Sequence, residues 1–436
     1  MTRWLATTSL IRSLCLAALG LGMSVMLGDP TPLIVAAPFT LLVAMGLITR
    51  PRTELPEMYT RIDHPYLHEG QGTRTRLMFA SPPEGIEHVT RIAIPAEHVA
   101  LHPADGNLGY LVRDEPAPAI EVSPRRWGAR QVGSEYVGLT SPWSGFRVGP
   151  NKLTGLMRQG GPEMFVLPQP APFDAHAAVP RPLGLVGQHR SRRTGDGSEF
   201  ASIRPYRAGD RLRRINWRVS ARSQDLHVVS ALAEEDASIL LLVDALGDHG
   251  RSEGVDGAAS SLDITVRAAA AIAEHYIRTG DRVALRVVGP GQEHAAPRAG
   301  RRQLRRIQGL LSRVRPGEPR DLTRLQVRAT AGTIVLVLTP MLSQLVAATA
   351  TSLVARGLTV LVIDTLPEDV VPAMVEGQDE ATAQLAWRIR RLERDAVLEM
   401  LAGAGSPIVR WLGPGTLDEV LLRLARRSQV PQVRVR

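Results

Sequence analysis

Cysteine and lysine are almost absent from this 436-residue chain. Cys15 is the only cysteine, so no disulfide can form within the chain, and a metal cluster held by several thiolates is excluded. Lys152 is the only lysine, although lysine and arginine together number 52, so arginine carries almost all of the positive charge behind the formal net charge of +9. This bias fits the arginine preference of a genome at least as well as phosphate binding, so the charge alone does not predict a nucleic-acid partner.

Two catalytic signatures are also missing. The chain has neither a Gly-x-x-x-x-Gly-Lys phosphate loop nor a His-Glu-x-x-His motif. Its eleven histidines are scattered, and His227, in the alternating stretch "DLHVV", is interpreted as a structural histidine. We therefore predict that the protein is not an enzyme.

The length and the apolar content of 44% are sufficient for two or three domains, each with its own core.

Long apolar runs occur at the N-terminus, over residues 13–27 and 33–48, with only "GDPTP" between them. Extended by flanking residues, each run is long enough to span a membrane. A cleaved signal peptide is the alternative, but the close spacing favours a transmembrane helical hairpin over residues 1–50. Arginines flank the outer ends of both runs. This charge distribution predicts a two-pass protein of the cell membrane, with both termini and the soluble domains in the cytoplasm.

Residues 51–167 contain short stretches with alternating apolar character, such as "TRTRLMFA", "VTRIAIPA" and "MFVLP". Segments rich in proline and glycine separate them, including "SPPEG" and "HPADGN". This pattern predicts a small antiparallel β-sandwich domain. Residues 168–197 are rich in proline, glycine and arginine, and we predict a linker or an extended arm there.

Apolar strand-length runs alternate with helical segments over residues 237–436. "SILLLVDA", "DRVALRVVG", "GTIVLVLTP" and "LTVLVID" are predicted strands, and the segment around "ATAQLAWRIRRLERDAVLEMLAGAG" is a predicted long helix. The alternation indicates an α/β domain with a doubly wound, mostly parallel sheet covered on both faces. On the long helix, Trp387 and Leu392 are predicted to be core or interface residues. The arginines of "RIRRLER" (388–394) are predicted to form its solvated face.

The segment 198–236, which lies ahead of the first of these strands, mixes many arginines with aromatic residues. It resembles the core pattern of a bacterial family called domain of unknown function 58. The residues that carry the resemblance are Glu199, Phe200, Arg204, Tyr206, Gly209, Asp210, Arg214, Ile215, Asn216, Trp217, Ala221 and Arg222. The resemblance extends to the N-terminal hairpin and to "RRWG" and "SPWSGF" in the β-domain, and so covers most of the chain.

This resemblance implies that residues 237–436 form a von Willebrand factor A-like domain. It also implies that the protein accompanies a MoxR-type AAA+ ATPase as its membrane-bound partner. On this basis the fold class is multi-domain, consisting of the hairpin, the β-sandwich, the signature segment of 198–236 and the C-terminal α/β domain.

A metal-binding von Willebrand A domain holds Mg²⁺ with an Asp-x-Ser-x-Ser loop, a distant threonine and a distant aspartate. The corresponding loop here is "DALGD", which keeps Asp244 and Asp248 but lacks both serines. Arg320 stands where the threonine is expected, and Thr339-Pro340 where the last aspartate is expected. We therefore predict a degenerate site with no bound Mg²⁺ and no other cofactor. We also hypothesise that the guanidinium of Arg320 pairs with Asp244 or Asp248.

The signature segment has two interpretations that stay open at this point. In the first it is a partner-docking or inter-domain surface whose arginines present forked donors to carboxylates. The residues assigned to this surface are Arg204, Tyr206, Gly209, Asp210, Arg214, Asn216, Trp217, Arg218 and Arg222. In the second it is a packing element, in which Tyr206, Ile215 and Trp217 are buried while Asp210 pairs with an arginine or caps a turn.

The predicted function is that of a non-enzymatic, membrane-anchored adaptor or scaffold that works with a MoxR-type AAA+ ATPase and with membrane proteins. One alternative is a hydrolase of unknown class that uses Asp244 and Asp248. The other is a basic module that binds anionic lipid or nucleic acid, which would show a steep dependence on salt.

Overall fold

A computed structural model describes most of the chain: residues 3–51, 55–113, 116–153, 163–169, 190–207, 210, 212–234, 238–278, 280–319, 327, 329, 333–370, 379–412 and 416. The chain divides into two compact units, which are described separately. The first unit comprises Met1–Leu167 together with Glu253–Asp256, and the second comprises Pro168–Ser252 and Gly257–Arg436.

Two apolar helices open the first unit, α1 (Thr8–Leu27) and α2 (Thr31–Ile48). Both are long and apolar enough to cross a membrane, by length and composition. Gly20 lets the two helices approach closely, because a Cβ atom added there would lie 2.3 Å from the Cβ atom of Ala36. The predicted pair of helices is therefore present, packed as a hairpin.

In the described part of the first unit, twelve strands form three sheets. The strands are β1 (Leu5–Ala6), β2 (Met58–Ile62), β3 (Tyr66–His68), β4 (Thr73–Phe79), β5 (His88–Pro95), β6 (Val99–His102), β7 (Asn107–Leu111), β8 (Ile120–Pro124), β9 (Gly128–Gln131), β10 (Gly133–Thr140), β11 (Phe146–Lys152) and β12 (Glu163–Leu167). Their orders are β1-β11-β10-β5-β7, β2-β4-β8-β6 and β3-β12-β9.

The five-stranded and four-stranded sheets share a core, in which Leu77 of β4 is buried together with Val89 of β5 and Val137 of β10. Alternate residues of these strands are buried, as a sheet with one solvated face requires. One pairing departs from the antiparallel prediction, because β12 runs parallel to β3. Short strands in this register give no local signal of direction, so the sequence pattern could not reveal it.

The start of α1 is attached to the β-strands of the same unit. The strand β1 pairs with β11, and the backbone N–H of Thr7 donates to the carbonyl oxygen of Gly145 at 3.0 Å. The hydroxyl group of Thr7 also donates to the carbonyl oxygen of Ser144. The "SPWSGF" motif, which contains the exposed Trp143, therefore lies where the helical hairpin joins the β-strands.

The second unit contains a six-stranded sheet in the order β17-β16-β15-β18-β19-β20. Its strands are β15 (Ser238–Asp244), β16 (Arg282–Val288), β17 (His294–Arg298), β18 (Ile334–Thr339), β19 (Thr359–Asp364) and β20 (Ile408–Arg410). Numbered along the chain, this order is 3-2-1-4-5-6. All neighbouring pairs are parallel except β16 and β17. The predicted mostly parallel sheet is present, with one additional antiparallel edge strand.

Among the described residues, four helices accompany this sheet, α4 (Ser261–Arg278), α5 (Arg301–Leu311), α6 (Gln344–Ala355) and α7 (Glu380–Gly403). The central strands are apolar along their whole length and almost fully buried, as expected for strands covered on both faces. The helix α4 is also deeply buried, because most of its residues from Ser261 to Ile277 are inaccessible to solvent.

A two-stranded antiparallel ribbon precedes this sheet in the chain, formed by β13 (Arg190–Pro205) and β14 (His227–Glu234). The helix α3 (Trp217–Ser223) lies between its strands. Residues 190–197, predicted as part of the linker or extended arm of 168–197, pair with β14 in this ribbon. Local composition could not reveal this pairing. Residues 170–189 lie outside the described residues.

Candidate functional site

The carboxyl ends of β15, β18 and β19 meet at one edge of the second unit's sheet and bring Asp244, Thr339 and Asp364 there. The strand order reverses between β15 and β18, and ligands of open α/β sheets bind outside the carboxyl ends of the strands at such a reversal. A ligand site of the second unit is therefore expected at this carboxyl edge.

Asp244 is buried at this edge and is held by its own chain. The hydroxyl group of Thr339 donates to its Oδ2 atom at 2.6 Å, and the backbone N–H of Leu246 donates to its Oδ1 atom at 3.1 Å. Burial raises the pKa of Asp244, although both hydrogen bonds favour the ionised form. Thr339 thus fills the position where the resemblance led us to expect an aspartate, and it binds the first aspartate directly.

Asp248 lies at the beginning of α4. Its Oδ1 atom accepts a hydrogen bond from the backbone N–H of Leu262 at 3.2 Å, a favourable arrangement for a carboxylate at a helix N-terminus. Ser260 and Asp263 complete the cap, since each backbone N–H donates to the other's side chain at 3.3 Å. Asp248 therefore has a structural role in starting α4.

Arg394 of α7 reaches the same edge and was missed by sequence reasoning. Its side chain forms an ion pair with Asp364 and another with Asp395, and its Nε atom donates to the carbonyl oxygen of Pro340 at 2.8 Å. Only 9% of the side chain is exposed, so the predicted solvated face of "RIRRLER" is wrong for this arginine. Its position seven residues before the buried Leu401 was the available signal, because such residues share one face of a helix.

The hypothesised pairing of Arg320 with Asp244 or Asp248 lies outside the described residues. Among the described residues, two arginines pair with carboxylates near the carboxyl edge: Arg394 with Asp364, and Arg410 at the end of β20 with Glu368. The guanidinium group of Arg394 places a fixed positive charge beside the ends of β18 and β19.

A cavity of about 820 Å³ lies beside this edge, between the loop after β15, the loop after β19 and the beginning of α7. Its lining combines aromatic and charged side chains, among them Asp248, His249, Arg267, Glu368, Trp387 and Trp411. Asp244 is not among the described lining residues. Burial lowers the pKa of His249, and Arg390 lowers it further, while Asp248 opposes both effects. The cavity thus favours an uncharged imidazole next to the ring of Trp387.

In the first part of the signature segment, the described residues between 204 and 210 bind one another. Arg204 forms a two-pronged pair with Asp210, with nitrogen–oxygen distances of 2.8 and 2.7 Å. The backbone N–H of Arg207 donates to the same carboxylate at 2.9 Å. The hydrogen bond from Arg204 lowers the pKa of Asp210, and the bond from Arg207 acts in the same direction. The packing interpretation anticipated this pairing of Asp210 with a neighbouring arginine and its role in a turn.

The second part of the segment turns outward at Asn216, whose side chain accepts the backbone N–H of Val219 at 3.2 Å and so caps α3. Ile215, one residue earlier, is 8% exposed and pairs with Val228 of β14. Trp217, one residue later, is 68% exposed. The packing interpretation is therefore right for Ile215 and wrong for Trp217, because the helix begins between them and directs the indole ring away.

Other exposed side chains lie close to Trp217 in the sequence. Leu212 is 67% exposed and Leu226 is 45% exposed, while Arg218 and Arg222 of α3 are also exposed. We call Leu212, Trp217, Arg218, Arg222 and Leu226 the signature surface.

The remaining assigned residues lie elsewhere. Tyr206 is half-buried, and its backbone N–H donates to the carbonyl oxygen of Leu226 at 2.7 Å. Arg214 is half-buried and engaged in contacts. Gly209 lies outside the described residues.

The described chain is thus a multi-domain protein with two apolar N-terminal helices, several antiparallel β-sheets and an α/β domain. Residues 202–386 match the model of the family described as "Protein of unknown function DUF58", which confirms the predicted family over these residues. The matched range contains the signature surface, the ends of β15, β18 and β19, and the first residues of α7.

Curated relatives come from mycobacteria. An uncharacterized protein of Mycobacterium bovis and uncharacterized proteins of two Mycobacterium tuberculosis strains are each 34% identical to this chain over 120 residues. The match covers 27% of this chain and only 36% of each relative, about a third of their length.

Proposed function

We propose that the protein is a membrane-anchored adaptor that binds a partner protein through the signature surface. The observation that carries this proposal is the 68% exposure of Trp217, with other exposed apolar side chains and two exposed arginines close to it in the sequence. Tryptophan and arginine dominate the binding energy of protein interfaces, and a large exposed apolar side chain without an internal role is typical of such surfaces. The arginines favour a partner with acidic residues.

The carboxyl edge supports binding in preference to catalysis. A hydrolase that used Asp244 and Asp248 would need at least one of them available, yet Asp244 accepts hydrogen bonds from Thr339 and Leu246, and Asp248 caps α4. A Mg²⁺ ion at Asp244 would compete with the hydrogen bonds from Thr339 and Leu246. We therefore propose that the protein works without a metal ion or other cofactor.

The α/β domain is, in this proposal, von Willebrand factor A-like. Support comes from the strand order 3-2-1-4-5-6, from the antiparallel edge strand β17 and from the aspartate that ends β15. The buried pair of Arg394 and Asp364 takes over part of the role that a cation has in metal-binding members.

The helices α1 and α2 provide the membrane anchor in this proposal. Arginines outside both helices and none in the short turn between them support a cytoplasmic location for the two soluble units. A cytoplasmic signature surface would be accessible to a MoxR-type AAA+ ATPase, which is the partner that the family resemblance implies.

The proposal is tested by capture experiments with the full-length protein in nanodiscs and the purified MoxR-type ATPase of the same organism. We expect capture with and without EDTA, and a loss of at least about tenfold in affinity for Trp217→Ala, as for a central interface residue. The control is Trp143→Ala, which removes an exposed tryptophan of the first unit and should leave capture unchanged. Equal capture by both variants would reject the signature surface.

The same nanodiscs separate the alternatives. Capture that needs Mg²⁺ would contradict the metal-independent site. Tight binding of DNA or of anionic vesicles that disappears steeply with salt, without binding of the ATPase, would favour the basic module instead.

A further inference from the structure

The helix α7 has a buried face and an exposed apolar face. Ala383, Arg394 and Leu401 are buried on the side that meets the sheet. Leu392 lies about 160° around the helix from Arg394, at 3.6 residues per turn. It is 70% exposed, so the prediction that it is a core residue is wrong for the isolated chain, whereas the interface alternative remains.

Four large apolar side chains are exposed along this face: Leu385 at 58%, Ile389 at 50%, Leu392 at 70% and Met400 at 53%. Ala396, also exposed, completes the series. From Leu385 to Ala396 the successive spacings are four, three and four residues. This is the spacing of a coiled-coil seam, which places side chains in one stripe facing another helix. An exposed apolar stripe of this length indicates an interaction surface.

Charged residues flank the stripe, with the two signs in different halves of the helix. Arg388 and Arg391 lie in the N-terminal half, and Glu393, Asp395 and Glu399 in the C-terminal half. A second α7 in parallel orientation would bring like charges together, whereas an antiparallel α7 brings arginines against carboxylates. The helix is thus complementary to an antiparallel copy of itself in both its apolar and its charged residues.

We propose that two copies of this chain associate through antiparallel pairing of their α7 helices about a two-fold axis. In the register that aligns the two stripes, Leu385 packs against Ala396 of the second copy, and Ile389 packs against Leu392 of the second copy. Arg388 then lies beside Asp395 of the second copy. Each contact occurs twice, as in any interface with two-fold symmetry.

Asp395 can take part in this contact while it keeps its internal one. The Oδ1 atom of its carboxylate accepts a hydrogen bond from the guanidinium group of Arg394 at 2.9 Å, and 55% of the Asp395 side chain remains exposed. Charges of both signs on the flanks disfavour an anionic membrane as the occupant of the stripe, because the carboxylates would be repelled.

The first test measures self-association of the full-length chain in detergent micelles, with micelles in excess, by sedimentation. Leu392→Glu places two carboxylates in the symmetric seam and should weaken association by about 100-fold or more, given the two buried leucines that are lost. The control is Leu111→Glu, which changes an exposed leucine of the first unit and should have no effect. A monomeric unsubstituted chain, or equal association of both variants, would overturn the proposal.

The second test determines the orientation by cross-linking. Cys15 is the only cysteine, so Cys15→Ser gives a cysteine-free background. A tagged chain with Leu385→Cys, mixed with an untagged chain carrying Ala396→Cys, should form a mixed disulfide. Leu385→Cys alone should not link to itself, because eleven residues separate the two positions in the antiparallel register. Self-linking of Leu385→Cys without the mixed product would contradict the antiparallel pairing.

The third test uses the charges. Arg388→Glu and Asp395→Arg should each weaken self-association, because each homodimer then contains two like-charged contacts. Mixing the two variants should restore association as a heterodimer, in which one ion pair re-forms with reversed signs and the other is the original arginine–aspartate pair. Failure of the mixture to associate more tightly than either variant alone would reject this register. None of these variants lies in the signature surface. Capture of the ATPase and self-association of the chain are therefore tested independently, and either can fail while the other succeeds.

Discussion

The two units each bury an arginine paired with a carboxylate, and the settings of the two pairs differ. In the β-unit, Arg91 is fully buried, and its guanidinium donates to Glu135 and to Thr75, with the closest contact at 2.7 Å. In the α/β-unit, Arg394 leaves a helix to bind Asp364 and the Pro340 carbonyl at the ends of two strands. The first pair joins elements of a core, whereas the second ties a helix to the edge where such sheets bind ligands.

The comparison teaches that the chemistry of a pair does not reveal its role. Arg91 and Glu135 lie on neighbouring strands, and Thr60 also donates to Glu135 at 2.7 Å, so both buried charges find hydrogen-bond partners within the β-unit. Arg394 instead lies at the carboxyl ends of β18 and β19, where it binds Asp364 and the carbonyl oxygen of Pro340. We therefore expect the loss of Arg91 to act on stability throughout its unit, and the loss of Arg394 to act mainly at the carboxyl edge.

The largest effect is expected for Arg91→Ala, which leaves Glu135 buried without its charged partner. Breaking a buried pair in this way should lower the free energy of unfolding by about 3–5 kcal/mol. The measurement is urea unfolding of the full-length protein in micelles. Arg74→Ala provides the control, since the Arg74–Glu121 pair is exposed on both sides and should contribute less than about 1 kcal/mol. Similar losses for the two variants would show that Arg91 is not specially placed.

A smaller loss is expected for Arg394→Ala, about 2–4 kcal/mol, because water reaches the carboxyl edge more readily than a closed core. Hydrogen exchange should increase in α7 and at the end of β19, and remain unchanged in the β-unit. Arg391→Ala removes an exposed arginine of the same helix and serves as the control. Faster exchange spread over both units would contradict the local role assigned to Arg394.

Thr339→Val tests the neighbouring carboxylate and should lower stability by about 1–2 kcal/mol through the lost hydrogen bond. Burial raises the pKa of Asp244 above its ordinary value of 3.8, so the folded protein holds this proton more tightly than the unfolded chain does. The stabilisation is then complete below that value and is lost as the pH rises through the folded pKa.

Unfolding of the unsubstituted protein and of Asp244→Asn, compared from pH 4 to 8, isolates this contribution. As the pH rises, the unsubstituted protein should lose stability relative to the asparagine variant. Thr339→Val should move this loss to higher pH, because the hydroxyl group of Thr339 favours the ionised form of Asp244 and its removal raises the pKa further. A difference that does not change with pH would contradict the raised pKa.

The smallest effect is expected at the signature surface, where Asn216→Ala removes the cap of α3 and should lower stability by about 1 kcal/mol. Because α3 presents Trp217, capture of the ATPase should weaken much more than stability does. Asn216→Asp keeps a capping oxygen and should retain both properties. Equal weakening by the aspartate variant would show that the asparagine acts in some way other than as a cap.

The sequence predicted those parts of the fold that depend on local periodicity. The two apolar runs became α1 and α2, and "SILLLVDA", "GTIVLVLTP" and "LTVLVID" became parallel strands, because a strand buried on both faces must be apolar along its whole length. The edge strand β17 was missed, since its sequence "HAAPR" has no strand-like alternation and depends on pairing with β16.

The sites show the same division. The sequence by itself identified the family signature and the missing serines after Asp244. It also offered the pairing of Asp210 with a nearby arginine in a turn. Each of these features depends on residues close together in the chain. Only the tertiary structure decided that Arg394 is buried, that Trp217 and Leu392 are exposed and that Thr339 binds Asp244. The burial of a helical residue depends on which side of the helix faces the sheet, and packing between elements distant in sequence decides this. The contact of Thr339 with Asp244 depends on the pairing of β18 with β15.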